Sequence, residues 1–576
     1  MQIRIERAGG LAEPLSGGDA PRARRARAVP CAFAAVLLTT AAGCAALPEP
    51  YVPPRPNAAK GFTFYVSPHG DDDNDGLAPD RAWRTLLKAD AVTYKPGDRL
   101  RLLGGVRHRG TLTLGPREAG SASRPVVVES YGTGRATIEA AGTEGISVYN
   151  TGGVEVRDIA VVGDDRAYAT STGIKFFSDR PDEGKHEHVV VADVDVSRFR
   201  TGITLAGAEP GSGFRDVRIT DSTLHGNRDA GLSTVGPVFD AKRPEYSHER
   251  LSVVRVQAYG NDGDPKAATR NTGSGIMLGS VREAKIQRST AHHNGRKSSA
   301  RATEGPEGIW AYDSTRVVVE HSVSYANRTG SHVDGGGFGL DNNTSASVLQ
   351  YNLAYGNDGP GYLVYTREAT DAHRQNVVRF NLSHDDSRKL PLYGGIVAYG
   401  GRVSDLDIYH NTVVMRTTDR DGEDAPALRL DKGLKNVRVQ NNIFVTDGAP
   451  VVASTVAFKP AVVTLQGNDY FSTGEWRVRW GDDSFWALGD WRTAARQERA
   501  GSTQTGTDAD PCLHGTEAPL TSVKGAVMLV PGCPRELTEA ALNLRSFGVD
   551  PGSVDYFGEY LPPTAAAGAA QPTSDE

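Results

Sequence analysis

The stretch that decides the fold is EGIWAYDSTRVVVEHSVSYANRTGSHVDGGGFGLDNNTSASVLQYNLAYGN, residues 307–357. It contains one pattern twice, because GIWAY at 308–312 matches GFGLD at 337–341, and VEHS at 319–322 matches LQYN at 349–352. The first glycines of the two copies, Gly308 and Gly337, are 29 residues apart. A repeat of this length, too short to bury its own apolar face, is typical of solenoid proteins.

The same unit recurs along the chain. Its glycine is followed by alternating apolar residues, and it stands at Gly145, Gly173, Gly202, Gly231, Gly275, Gly308, Gly337, Gly361 and Gly395. A second short strand pattern lies between successive units, as in VRDIAVV, VEHSVSYAN and LQYNLAYGN. Short alternating strands at a variable period predict a β-solenoid. A propeller would show longer, more regular blades, and a leucine-rich repeat would show its LxxLxL signature.

Polar residues at fixed places in the repeat predict stacked coils. The fourth residue of many second strands is Ser or Asn: Ser222, Ser289, Ser322, Asn352, Asn381, Asn411, Asn442 and Asn468. A further set of asparagines follows the strands: Asn227, Asn261, Asn294, Asn327 and Asn357. Equivalent residues of neighbouring coils lie about 4.8 Å apart, a distance at which amide side chains form hydrogen-bonded ladders. Both sets are therefore interpreted as structural.

The beginning of the folded part carries a family resemblance. The residues concerned are Tyr65-Val66-Ser67-Pro68, Gly70, Asp75-Gly76 and Pro96-Gly97-Asp98. They resemble the N-terminal cap of secreted right-handed parallel β-helix proteins, and residues 61–562 as a whole resemble the pectate-lyase-like superfamily. The resemblance implies an all-β fold, a single-stranded right-handed parallel β-helix (β-solenoid) with an N-terminal and a C-terminal cap. It does not specify one activity, because the superfamily contains lyases, hydrolases and non-catalytic surface proteins.

Composition changes along the chain predict its organisation. We expect a signal peptide over residues 1–43, a Pro-rich tether over 45–60, and an N-terminal cap with the first strands over 61–124. The β-helix is expected over 125–470, a Trp-containing C-terminal cap region over 471–562, and a disordered tail over 563–576. Trp476, Trp480, Trp486 and Trp491 are expected to cover the last coil, with a sugar-binding Trp patch as the alternative.

The N-terminal segment predicts export. Four arginines between 22 and 27 precede the apolar stretch VPCAFAAVLLTT, which is too short to span a bilayer. The residues AAGC at 41–44 resemble a bacterial lipobox, which implies lipidation of Cys44 and a cell-surface lipoprotein. The alternative is an ordinary cleaved signal and a secreted protein. In the oxidising compartment that export implies, Cys512 and Cys533 are a candidate disulfide.

Charge limits the partners. The net charge of −6 provides no basic field for nucleic acid, and beyond the lipid anchor no segment is expected to enter the membrane. We expect a monomer that acts on or binds a polysaccharide.

Alternation along the strands places aromatic residues outside the solenoid. Counted from each repeat glycine, the apolar positions +1 and +3 point inward, so +2 and +4 point outward. Outward positions hold the candidate substrate-binding residues Trp310, Tyr312, Tyr365 and Tyr399, joined by Asn342 and Asn343. Aromatic rings suit the apolar faces of sugars. The alternative is packing beneath the loops 237–249, 262–274 and 296–306, which would also wall a groove.

Carboxylates crowd the same coils and are the candidate catalytic residues. They are Asp313, Asp341, Asp334 and Glu307. A glycoside hydrolase needs one protonated and one ionised carboxyl, about 5–5.5 Å apart for retention and about 6.5–9.5 Å apart for inversion. Residues on adjacent coils are close enough for either arrangement.

A lyase is the competing enzyme class. The segment DGGGFGLD at 334–341 is superficially similar to the calcium-binding segment of family 9 pectate lyases, but Gly335, Gly336 and Gly339 stand where those ligands would be. No metal site or cofactor is therefore predicted, and calcium is an alternative that no motif supports. Lys266 and Lys389 are the candidate lyase bases. We expect a polysaccharide hydrolase, with a polysaccharide lyase or a non-catalytic glycan-binding envelope protein as alternatives.

Overall fold

The computed structural model describes residues 61–418, 422 and 424–572. The predicted signal peptide, Cys44 and the tether lie outside the described residues. In the part of the chain that is described, no helix is long and apolar enough to cross a membrane.

The chain winds into about 13 stacked coils. Each full coil contributes one strand to each of three faces, and strands of neighbouring coils pair in parallel. Thus Glu307–Tyr312 lies between Ser274–Gly279 and Gly336–Leu340. The predicted parallel β-helix is confirmed.

The first face, named the site face, carries the glycine units. Its strands are Leu112–Leu114, Ile146–Tyr149, Thr172–Ser178, Thr201–Gly207, Ala230–Val235, Ser274–Gly279, Glu307–Tyr312, Gly336–Leu340, Tyr362–Thr366, Ile396–Gly400, Leu428–Leu430, Val452–Ser454, Val478–Trp480 and Asp483–Phe485. The last strand is antiparallel to its neighbour, and so closes the face.

The other two faces carry the second strands. The second face comprises Thr63–Val66, Arg99–Leu103, Val126–Tyr131, Val154–Val162, Lys185–Ser197, Gly213–Thr220, His248–Val254, Val281–Gln287, Thr315–Glu320, Val348–Gln350, Val377–Arg379, Val403–Tyr409, Leu434–Gln440 and Val463–Gln466. The third face comprises Arg107–Arg109, Ala136–Glu139, Thr223–His225, Gln257–Tyr259, Thr290–His292, Val323–Tyr325, Leu353–Tyr355, Leu382–His384, Thr412–Met415, Ile443–Thr446 and Asp469–Ser472. Val154–Val162 and Lys185–Ser197 are long enough to bend from the second face into the third.

Helices are few and lie in the connections and the ends of the chain. The α-helices are Leu86–Asp90, Asp165–Thr170, Leu488–Ala495 and Pro534–Ala540. The 3-10 helices are Pro79–Arg81, Pro181–Glu183, Val523–Leu529 and Leu544–Phe547, and Arg499–Ala500 pairs with Thr503–Gln504 in a small hairpin.

The core lies between the three faces, and the alternation places it as predicted. Ile309, Ala311, Phe338 and Leu340, at positions +1 and +3, are fully buried. Phe338 stacks on Tyr362 of the next coil, with ring centroids 5.3 Å apart.

Two buried asparagine ladders join the coils. In one, Asn227, Asn261, Asn294, Asn327 and Asn357 each donate a side-chain hydrogen bond to the next residue, and the last acceptor is Asp386. In the other, Asn352, Asn381, Asn411, Asn442 and Asn468 do the same, and the last acceptor is Glu498. A carboxylate ends each ladder because it accepts hydrogen bonds without needing a further acceptor.

Aromatic residues close both ends of the core. At the start, Phe64 stacks on Trp83 at 5.1 Å. At the other end Trp491 is fully buried and packs edge-on against Trp480 at 5.7 Å. These contacts agree with the cap interpretation of the tryptophans, except that Trp486 is 59% exposed and covers nothing.

Residues 511–572, named the C-terminal strap, do not cover the end of the solenoid. They pack along its flank, where Leu529, Leu537 and Ala567 contact Leu382 and Ile443 of the third face. The single C-terminal cap expected over 471–562 is thus divided between an end cap and this strap. Cys512 and Cys533 form the predicted disulfide within the strap.

The disordered tail expected over 563–576 is wrong for residues 563–572. Ala565, Ala566, Ala567, Ala569 and Ala570 are buried. The backbone of Ala569 donates to the hydroxyl of Thr412 at 2.9 Å. Alanine side chains are small enough to let this segment lie directly against the strands. The alanine-rich composition that suggested disorder therefore allows close packing.

Candidate active site

One cavity of about 440 Å³ lies on the outside of the site face. It brings together nine of the ten residues that the sequence proposed for catalysis or substrate binding: Glu307, Trp310, Tyr312, Asp313, Asp334, Asp341, Asn342, Tyr365 and Tyr399. Its volume falls within the range of about 300–1,000 Å³ that is usual for ligand sites. The outward positions of four successive coils therefore converge on one concave site.

Aromatic residues form two walls of the cavity. The rings of Trp310 and Tyr312 lie 5.2 Å apart on one coil, and those of Tyr365 and Tyr399 lie 4.7 Å apart on two adjacent coils. Gly279 makes room for Tyr312, because a Cβ at position 279 would lie 2.2 Å from the Tyr312 ring. Two tilted aromatic pairs that line one cavity can hold a sugar ring between them.

Trp310 is less accessible than an exposed platform would be. It is only 7% exposed, and its indole N–H donates to the hydroxyl of Ser274 at 3.2 Å. That hydroxyl in turn donates to Asn271, another residue of the cavity. Trp310 is thus a fixed part of the wall, rather than the free surface ring that alternation alone suggested.

Glu307 lies at the floor of the cavity. It is 3% exposed, and neither of its carboxyl oxygens has a hydrogen-bond partner. Its carboxyl occupies the space beside Gly339, where a Cβ would lie 2.0 Å from Oε2. Burial raises the pKa of Glu307 well above its usual range, and the negative charges of Asp334 and Asp341 raise it further. Both effects disfavour the charged form of Glu307.

Asp334 and Asp341 are half-buried and differ in their hydrogen bonds. The Asp334 carboxylate accepts from the backbone N–H of Gly305 at 2.7 Å and from the hydroxyl of Tyr393 at 3.2 Å. The Asp341 carboxylate accepts from the backbone N–H of Asn342 at 2.7 Å. Burial, and then the charge of Asp334, raises the pKa of Asp341 to about 8.

The same burial acts on Asp334, but its donors oppose it. Burial raises the pKa of Asp334, while the hydrogen bonds from Gly305 and Tyr393 lower it. Hydrogen bonds to a carboxylate stabilise its charged form. The cavity therefore holds Asp341, whose pKa is raised to about 8, beside Asp334, whose pKa is also raised but whose charged form two donors stabilise.

Asn343, which the sequence suggested as a substrate-binding residue, contacts Asp313 instead. Asn343 does not line the cavity, and instead its amide donates to Asp313 at 2.7 Å from the neighbouring coil. Burial raises the pKa of Asp313, and this hydrogen bond lowers it. Asn343 is thus a positioning residue for Asp313 rather than a substrate contact, since its side chain is directed along the coil stack.

Two residues of the cavity were not found from the sequence. Tyr393 precedes a repeat glycine unit in the loop PLYGG, and Arg367 follows the strand Tyr362–Thr366. Arg367 pairs with Glu304 at 2.9 Å, which joins two loops at the cavity. The only sequence signal was their position just outside the strands of cavity-lining coils, where alternation does not determine direction.

The loops contribute unequally to the walls. Residues 303–305 of the loop 296–306 and Asn271 of the loop 262–274 line the cavity, as expected. The loop 237–249 does not, because it lines a separate surface depression with Pro210 and Gly211.

Neither candidate lyase base reaches the cavity. Lys389 donates to the carbonyls of Thr329 and Ser331, and neither it nor Lys266 is among the lining residues. Within the described ranges, no group of three or more His, Cys, Asp or Glu side chains is arranged to hold a metal ion.

Comparisons with known proteins give the fold. The family described as a right handed beta helix region matches residues 184–382 and 269–445. No curated protein matches the chain.

Solved structures with this fold resemble the chain at low sequence identity. XylC in complex with xylose is 12% identical, with 88% of this chain and 98% of that chain covered and a TM-score of 0.50. A GH136 lacto-N-biosidase from Eubacterium ramulus is 15% identical, with coverages of 73% and 68% and a TM-score of 0.48. The pectate lyase Pel9A is 14% identical, with coverages of 89% and 97% and a TM-score of 0.38. Of these structures only XylC reaches a TM-score of 0.50, and at 12% identity its similarity shows the fold alone.

Proposed function

The chain is a right-handed parallel β-helix protein, and from this premise we propose that it is a glycoside hydrolase that cleaves a polysaccharide in the cavity of its site face. The observation that carries the proposal is the difference between Asp341 and Asp334. Two carboxyls in one cavity, one protonated and one ionised, are what hydrolysis of a glycosidic bond requires.

The proposed roles follow from the hydrogen bonds. Asp341, with its pKa raised to about 8, is protonated at neutral pH and donates its proton to the oxygen of the leaving sugar. Asp334, whose charged form is stabilised by hydrogen bonds from Gly305 and Tyr393, assists the attack on the anomeric carbon. The reaction adds one water across the glycosidic bond, with the proton going to the leaving oxygen and the hydroxyl to the anomeric carbon.

The remaining residues bind and shield. The four aromatic side chains offer apolar walls to the sugar, and Asn342 offers an amide for its hydroxyls. Glu307 is a buried carboxyl of the same cavity, and its raised pKa disfavours a further fixed charge there.

A lyase is favoured less. Its base is commonly Lys or Arg, and Arg367, the one cationic side chain among the described lining residues, is already paired with Glu304. A non-catalytic glycan-binding protein needs the aromatic walls, but it does not need two carboxyls with different hydrogen-bond donors.

The test is a screen of the full exported chain against plant, algal and bacterial polysaccharides, with Asp341→Asn as the inactivated variant. New reducing ends without an unsaturated uronate are expected from the wild type, and at most a trace from the variant. An unsaturated product would replace the hydrolase with a lyase. Retention on one polymer without any cleavage would replace the enzyme with a binding protein.

Export and lipidation of Cys44 remain part of the proposal. The disulfide between Cys512 and Cys533 supports an oxidising compartment. Fractionation of cells that express the wild type or Cys44→Ser tests the anchor: the wild type should follow the membrane and the variant should be released. Equal release of both would favour an ordinary secreted protein.

A further inference from the structure

Acidic side chains outnumber basic ones around the cavity. Five carboxyl residues line it, and Arg367 is the only cationic one among the described lining residues. The carboxyl residues are Glu304, Glu307, Asp313, Asp334 and Asp341. An imbalance of this kind in a partly enclosed, poorly solvated space disfavours any further negative charge, because Coulomb repulsion is weakly screened there.

The single guanidinium already has partners. Arg367 Nη2 lies 2.9 Å from Glu304 Oε1, and the Tyr365 side chain also hydrogen-bonds to Arg367. The backbone N–H of Arg367 donates to Asn342 at 2.7 Å. A sugar carboxylate would therefore compete with Glu304 for this cation.

The carboxyls of the cavity already respond to one another. The charges of Asp334 and Asp341 raise the pKa of Glu307, and the charge of Asp334 raises the pKa of Asp341. A bound uronate would meet the same repulsion, whereas a hydroxyl-rich or amino-bearing sugar would bring hydrogen-bond donors to acceptors that have few.

We propose that the sugar ring held in this cavity is uncharged or bears an amino group, and that the cavity rejects uronic acids, because five carboxyl residues and one ion-paired guanidinium line it. This inference rests on the proposed function only in taking the ligand to be a carbohydrate.

The test is direct binding of the full-length protein to matched oligosaccharides, measured by calorimetry with an immobilised glycan panel as a second readout. Each backbone is offered in three forms: neutral, amino-bearing, and oxidised to the uronate at C6. Methyl-esterified oligogalacturonate beside the free acid gives one pair that differs only in charge. We expect the neutral or amino form of the recognised backbone to bind at least about tenfold more tightly than its uronate.

Variants at the ion pair sharpen the test. Glu304→Gln removes one carboxylate and frees Arg367, so the penalty against the uronate should shrink several-fold. The matched control is Glu283→Gln, which frees Arg316 from a 2.8 Å ion pair on the exposed surface outside the cavity and should leave the ratio unchanged.

The outcomes separate this inference from the proposed function. Binding of a neutral or amino sugar without cleavage supports the inference and contradicts the hydrolase. A uronate that binds as tightly as its neutral partner overturns the inference, whether or not the polymer is cleaved. Binding of no form of any backbone overturns both.

Discussion

A Cβ atom at position 339 would lie 2.0 Å from Oε2 of Glu307, so the absence of a side chain at Gly339 gives the buried carboxyl its place at the floor of the cavity. The two residues lie on adjacent coils, in strands that pair in parallel. Gly339 thus leaves on one coil the space that the Glu307 carboxyl of the neighbouring coil occupies.

Gly339→Ala should damage activity more than folding. The backbone at position 339 is not in the left-handed region, and the atom that must move is the end of a flexible side chain. We expect a fall of about 100-fold in kcat/KM, because a displacement of about 1 Å in a catalytic site has that effect. The far-ultraviolet circular dichroism spectrum should be unchanged. Gly489→Ala, where the added methyl meets open space, is the control. Equal kcat/KM for the two variants would show that the position of the Glu307 carboxyl does not matter for activity.

Asp341→Asn should abolish most of the activity while improving stability. Loss of a general acid costs about 10²- to 10⁴-fold in rate. In the folded protein the pKa of Asp341 is raised from 3.8 to about 8, so the stability present below pH 3.8 is lost progressively as the pH rises towards 8. Asparagine does not titrate, so the Tm difference between variant and wild type should grow over this window. A Tm difference that is constant between pH 4 and pH 8 would contradict the assignment.

The activity of the wild type should fall as the pH rises through about 8. Asp341 must carry a proton to donate it, and its pKa sets the alkaline limb. The measurement is kcat/KM between pH 4 and pH 10. An alkaline limb well below pH 7 would point to another acid.

Tyr393→Phe should move the acidic limb of the same profile to higher pH. The Tyr393 hydroxyl donates to Asp334 at 3.2 Å and lowers its pKa, so its removal favours the protonated, inactive form of Asp334. The hydroxyl also accepts from the Asp334 amide at 3.1 Å, so a stability loss of about 1 kcal/mol should accompany the shift. Tyr325→Phe, in the aromatic stack of the third face, should leave the acidic limb in place. If the acidic limb of Tyr393→Phe is not shifted, the hydrogen bond from Tyr393 does not set the pKa of the catalytic base.

Replacement of Cys512 and Cys533 by Ser should loosen the C-terminal strap and spare the site. The disulfide closes 21 residues, which corresponds to about 3 kcal/mol of loop-closure entropy. Hydrogen exchange should quicken over residues 511–572 and stay slow in Glu307–Tyr312, with kcat/KM retained. Faster exchange throughout the solenoid would mean that the strap holds the coils together.

The fold was predictable because its rules are local and repeated. The glycine units, the alternation and the asparagine positions each recur coil after coil, so one interpretation applied to Ile309 applies also to Phe338 and Ile396. Those same rules located Trp310, Tyr312 and Asp341, since the outward positions of a stacked strand follow from its inward ones.

The rest of the site depends on contacts that no repeat encodes. Tyr393 and Arg367 come from loops, where the direction of a side chain is set by the surface it meets. The unequal states of Asp334 and Asp341 depend on two donors, Gly305 and Tyr393, that are 29 and 59 residues from Asp334 in sequence. The packing of the strap on the third face could not be predicted, because an alanine-rich segment does not indicate which strands it contacts.

The central claim is hydrolysis by this cavity, and the fate of water tests it most directly. Cleavage of a recognised glycan in ¹⁸O-labelled water, followed by mass spectrometry, should place one ¹⁸O atom at each new reducing end in the wild type and yield almost no product with Asp341→Asn. A product that lacks ¹⁸O and has lost the elements of water relative to the hydrolysis product would show elimination, and would contradict the account.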